Sequence, residues 1–106
     1  MRYVRPMPAP TRAERIHACL TAAFAPVVLD VADESALHAG HAGARAGGET
    51  HYHVLLVAAS LGSLGRVARS RAVHDALAPE FASGLHALSL TLRGPDEHRT
   101  LAETNP

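Results

Sequence analysis

The stretch Leu85-His86-Ala87-Leu88-Ser89-Leu90-Thr91-Leu92-Arg93 alternates without a break. His86, Leu88, Leu90 and Leu92 fall on one face of a strand, and Ala87, Ser89, Thr91 and Arg93 on the other. Gly84 before it and Gly94-Pro95 after it mark the two ends. How this strand enters a sheet is decided by what precedes it. Residues 51–58 read as another strand, with Tyr52, Val54 and Leu56 on one face, while Leu55 and Val57 on the other suggest partial cover on both sides. Between the two strands lie a Gly/Ser connection at residues 60–65 and a helical stripe of Val67, Val73, Ala76, Leu77 and Phe81, which Pro79 kinks or breaks. A strand–helix–strand passage crosses over and leaves its two strands parallel.

Upstream, residues 27–32 form a β-branched strand with Val27, Leu29 and Val31 on one face, expected to pair antiparallel with residues 51–58. Thr11 and Glu14 make a capping box for a helix over residues 12–24, whose stripe is Ala13, Ile16, Leu20, Ala23 and Phe24 and which Pro26 ends. Pro6, Pro8 and Pro10 make residues 1–10 a flexible tail, and residues 96–102 add a short helix with proline at its first turn. The expectation is one domain over residues 11–102, with residues 103–106 frayed. Its fold class is α+β: a two-layer sandwich of order α-β-β-α-β(-α), with a three-stranded mixed sheet and its helices on one face.

At 106 residues the chain has no room for a second independent core. Ten arginines balance ten acidic residues and lysine is absent, so a broad basic footprint for nucleic acid or anionic lipid is excluded, while local patches are not. No apolar run approaches the roughly 18 residues of a membrane span, and the first residues lack the apolar core of a secretory signal. The expectation is a cytoplasmic protein without a membrane partner. The single cysteine, Cys19, lies beside the Ile16/Leu20 stripe and reads as a packed thiol; one cysteine excludes an internal disulfide and an all-cysteine metal or iron–sulfur site made by one chain.

The eight histidines are the compositional oddity. His38 and His41 sit in a long loop over residues 33–49, rich in glycine and small residues, and loops of that length are usually functional or disordered. Two imidazoles three residues apart can reach a common metal if the glycine between them lets the chain turn, but a complete zinc site needs more ligands. His86, at the start of the last strand, reads as a core-rim histidine or as a ligand that the sheet holds rigidly. The three imidazoles plus water would suit a catalytic zinc, yet no general base, nucleophile elbow, phosphate loop or dinucleotide fingerprint accompanies them, so no enzyme is expected. Gly62 and Gly65 followed by Arg66, Arg69 and Arg71 at a helix N-terminus form a candidate phosphate contact, or simply a solvated helix face.

Asp33-Glu34-Ser35 followed by His38, then Gly48-Glu49-Thr50-His51-Tyr52 running into a strand, then residues 69–77 (Arg-Ser-Arg-Ala-Val-His-Asp-Ala-Leu), then His86-Ala87-Leu88, together resemble the BolA family over about residues 12–97. Ser70 stands where members usually carry a histidine, and His41 is an additional loop histidine. The resemblance implies a type II K-homology-like fold and association with a monothiol glutaredoxin. It also implies a [2Fe–2S] cluster shared with that partner and its glutathione, with His38 and His86 as this chain's ligands and His41 as the rival loop ligand. This adaptor would serve iron–sulfur assembly, trafficking or iron regulation. The second implied role is a DNA-binding transcriptional regulator of stress response and cell morphology, through Arg66, Arg69 and Arg71. The oligomeric state, a homodimer included, stays open.

Overall fold

The computed structural model describes residues 8–34 and 51–104. In chain order the elements are α1 (Arg12–Phe24), β1 (Val28–Asp33), β2 (His51–Val57), a 3-10 turn (Ala59–Leu61), α2 (Arg66–Ala76), α3 (Ala78–Ala82), β3 (Ala87–Arg93) and α4 (Pro95–Thr104). The sheet order is β1-β2-β3. β1 pairs antiparallel with β2, from Val28 opposite Val57 to Asp33 opposite Tyr52. β2 and β3 run parallel, from His51 opposite Ala87 to Val57 opposite Arg93. The mixed sheet expected from the crossover is therefore present.

α1 begins on the expected box: Glu14 N–H donates to the Thr11 hydroxyl (3.2 Å) and Thr11 N–H to Glu14 Oε1 (2.9 Å). It ends at Ala25, which adopts the left-handed conformation (φ 46°, ψ 58°) and returns its N–H to the Thr21 carbonyl (3.0 Å) before Pro26. Ile16 and Leu20 are fully buried and meet Tyr52, Val54 and Leu56 of β2, with Leu61, Val73, Leu77 and Leu85 closing the core. Leu29 and Val31 of β1 and Leu88, Leu90 and Leu92 of β3 pack against it from the same sheet face. The helices thus cover the face that the strand alternation marks as apolar.

Several element details differ from the sequence expectation. Val67 is 64% exposed rather than part of the second stripe: it precedes Val73 by six residues, a spacing that puts the two on different helix faces. Pro79 does not kink one helix but opens a separate one, sitting in the first turn of α3, where its missing N–H costs no bond. β1 begins at Val28 rather than Val27, which is 65% exposed although its N–H reaches the Val57 carbonyl (2.8 Å). α4 continues to Thr104, so the helix extends beyond the expected end at Ala102.

Two joints hold the layers. Glu80 of α3 is buried and takes Arg12 Nη1 on Oε1 (3.0 Å) and Arg15 Nε on both oxygens (3.1 Å each), tying α3 to α1. Gly94, between β3 and α4, packs its backbone on Gly62, and a Cβ at position 94 would lie 2.7 Å from the Gly62 Cα.

Candidate metal centre

The sheet topology brings the proposed ligand region to one edge. The chain leaves β1 at Asp33 and re-enters the sheet at His51, and Glu34 N–H donates to the His51 carbonyl (2.9 Å). Residues 35–50, with His38 and His41, leave and return through this gate and lie outside the described residues. Because β2 and β3 are parallel and His51 is opposite Ala87, the residue before β3 arrives beside the same gate. That residue is His86.

His86 is exposed, and this corrects its assignment to the apolar face with the leucines. Pairing of β3 starts at Ala87, so strand alternation does not bind the side chain one residue earlier. Its ring lies against the ring of His51, the centroids 5.4 Å apart and the planes tilted by 59°. His51 went unremarked as a neighbour of His86 on reading the sequence. The signal that finds it is the strand register, which places residue 51 beside residue 87 and hence beside His86.

Another histidine of β2 is committed elsewhere. His53 Nδ1 pairs with the Ser89 hydroxyl (3.1 Å) and Nε2 with the Thr91 hydroxyl (3.3 Å), so both ring nitrogens are engaged across the strand pair. Cys19 is half-buried against the core, as its spacing predicts. Among the described residues no group of three or more His, Cys, Asp or Glu is arranged to hold a metal.

The arginine patch divides in two. Arg66 and Arg71 are exposed on α2, whose N-cap is Gly65 and carries no side-chain cap. Arg69 is instead a structural residue. It donates from Nε to the Leu64 carbonyl (2.8 Å), from Nη1 to the Leu92 carbonyl (3.2 Å) and through both terminal nitrogens to Glu97 (3.1 and 2.5 Å). The hydrogen bond from Arg69, with a second from Gly94 N–H, holds the Glu97 carboxyl below the ordinary carboxylate range; the same pair raises Arg69. A cleft of about 650 Å³ beside it is floored by Leu90 and Leu92 and rimmed by Arg66, Arg69 and Arg93.

An α+β sandwich with an exposed histidine just before the last strand, beside the end of β1 and the start of β2, defines a class of small domains. The family model for BolA, described as BolA-like protein, matches residues 20–97. The chain belongs to the BolA family. It is 40% identical to SufE-like protein 1, chloroplastic/mitochondrial, of Arabidopsis thaliana, over 82% of this chain and 24% of that protein. It is also 40% identical to the DNA-binding transcriptional regulator BolA of Escherichia coli (strain K12), over 73% of this chain and 70% of that protein. Among solved structures, the BolA domain of SufE1 from Arabidopsis thaliana superposes with a TM-score of 0.74 at 38% identity, covering 85% of this chain and 99% of that one. The chain thus spans about a quarter of the SufE-like protein's length but nearly all of its BolA domain. Among the described residues no helix is long and apolar enough to cross a membrane.

Proposed function

We propose that this chain is an adaptor that binds a monothiol glutaredoxin and co-ligates a [2Fe–2S] cluster for iron–sulfur assembly, trafficking or iron regulation. The observation that carries the reading is the exposed His86 ring at the gate of the histidine-bearing loop. His86 is one ligand, and a loop histidine, His38 with His41 as its rival, is the second. The partner and its glutathione supply the thiolates that a chain with one core-packed cysteine lacks. The cluster is cargo shared between two proteins, and this chain's part is to present imidazole at a fixed place.

The test mixes the chain with a monothiol glutaredoxin, glutathione, ferrous iron and sulfide and records visible circular dichroism. A new cluster spectrum that His86→Ala abolishes is expected; a spectrum indifferent to His86 would refute the ligand assignment.

A second reading, a DNA-binding regulator, draws support from the printed name of the Escherichia coli relative and from exposed Arg66 and Arg71 on the uncapped helix. Its phosphate contacts would make affinity for duplex DNA fall with salt. Absence of binding at low salt removes it.

A further inference from the structure

We infer that the outer edge of β1, with the groove between it and α1, is a docking site for an extended basic segment of a partner protein, which joins the sheet as a fourth strand. The inference is independent of the adaptor reading and makes no use of His86 or the loop histidines.

The backbone supplies the first half of the argument. β2 lies on one side of β1, and among the described residues no strand lies on the other. The bond from Glu34 N–H to the His51 carbonyl fixes which groups of β1 that pairing engages. Bonded and non-bonded positions alternate along an antiparallel pair, so Ala32 and Asp30 turn N–H and C=O towards β2, while Val31 and Leu29 turn theirs outward. An outward row of donors and acceptors is a template for one more strand.

The side chains supply the second half, because they say which strand fits. Leu29 and Val31 are half-buried, and with Ala13 of α1 they floor a groove of about 470 Å³ whose remaining lining is Glu14, His17 and Asp30. The lining thus holds two carboxylates and no arginine. Asp30 alternates onto the other sheet face, is exposed, and makes no hydrogen bond or ion pair among the described residues. A strand added antiparallel with its central residue opposite Asp30 sets its two flanking side chains opposite Leu29 and Val31, beside the small Ala13. The fitting pattern is β-branched, basic, β-branched. A second copy of this chain fits poorly: pairing two β1 edges about a two-fold axis centred on any of residues 29–31 sets the two Asp30 carboxylates opposite or diagonal to each other. The charge that opposes self-pairing is the one that selects a cationic partner.

The probe is the blocked peptide threonine-valine-arginine-valine-threonine, titrated into the ¹⁵N-labelled full chain and followed by amide shifts. The expected result is that Leu29 and Val31 shift most, together with residues of α1 that line the groove. Replacing the peptide's arginine by glutamate should weaken binding about two- to fivefold, the scale of a cross-strand charge pair, and Asp30→Arg should reverse that preference. Methylating the two valine nitrogens, which face β1, should abolish the shifts, while methylating the arginine nitrogen, which faces away, should leave them. Equal binding of the valine-methylated peptide would overturn strand addition, and equal binding of the arginine and glutamate peptides would overturn the basic partner. Absence of shifts up to about 10 mM peptide, a range that still detects millimolar affinity, would overturn the site itself. Shifts of Leu29 and Val31 that grow with protein concentration in the absence of peptide would assign the edge to a second copy and overturn the commitment made here. His86→Ala should leave the peptide titration unchanged, so the outcome for the mixed cluster and the outcome for this edge are read separately.

Discussion

Ala25 is the only described non-glycine residue with positive φ. A Cβ in the left-handed region costs about 1–2 kcal/mol, of which glycine's greater unfolded-state freedom offsets part. Ala25→Gly should therefore stabilise the chain by about 0.5–1 kcal/mol, read as a higher urea midpoint at unchanged slope. Gly94→Ala should do the reverse, because its Cβ would meet the backbone of Gly62 rather than a side chain able to move aside. Glu80→Ala leaves the guanidinium groups of Arg12 and Arg15 without their shared carboxylate between α1 and α3. A loss of about 1–3 kcal/mol is expected for that change, and a thermal midpoint equal to wild type would show that the joint contributes nothing.

At the level of elements, two carboxylates organise helix starts. Glu14 lies below the ordinary carboxylate range because it accepts from Thr11 N–H and, second, from the Thr11 hydroxyl; Glu97 is lowered chiefly by Arg69. Each binds protons less readily folded than unfolded, so its stabilisation is complete above the ordinary value of 4.5 and disappears as pH falls through the lower folded value. Thermal melts from about pH 7 to about pH 3 should show this acid loss, with Glu97→Gln flattening part of it. Salt should shrink the Arg69–Glu97 contribution, since that pair is partly solvated. The element pattern was largely legible: the capping box and Pro26 bracket α1 to the residue, and unbroken alternation locates β3. Val67 was misplaced because an apolar residue in a first helical turn resembles a stripe until its angle to Val73 is reckoned. His51 was missed for a different reason. Its nearness to His86 depends on the register between strands 30 residues apart in the parallel pair, which no local pattern encodes (His51 opposite Ala87).

For the whole molecule, the sheet acts as a frame that delivers chemistry to one gate. Helices cover one face, and the antiparallel and parallel neighbours of β2 bring the loop ends and His86 together. The resemblance named His86 before any geometry did, and the structure adds where it stands; the loop histidines lie outside the described residues. Imidazole binds metal only when neutral, so the mixed cluster should be lost on acidification at a higher pH than an all-thiolate cluster of the same partner. Following the visible cluster bands during a pH titration, beside an all-thiolate complex of the same glutaredoxin, tests this; equal acid resistance of the two would count against imidazole ligation.

The most direct measurement is pulsed electron paramagnetic resonance of the reduced mixed complex, prepared with this chain carrying ¹⁵N-histidine and the glutaredoxin unlabelled. The account predicts strong nitrogen hyperfine couplings that change with the label and are diminished in His86→Ala. A cluster spectrum with no label-dependent nitrogen coupling would contradict it.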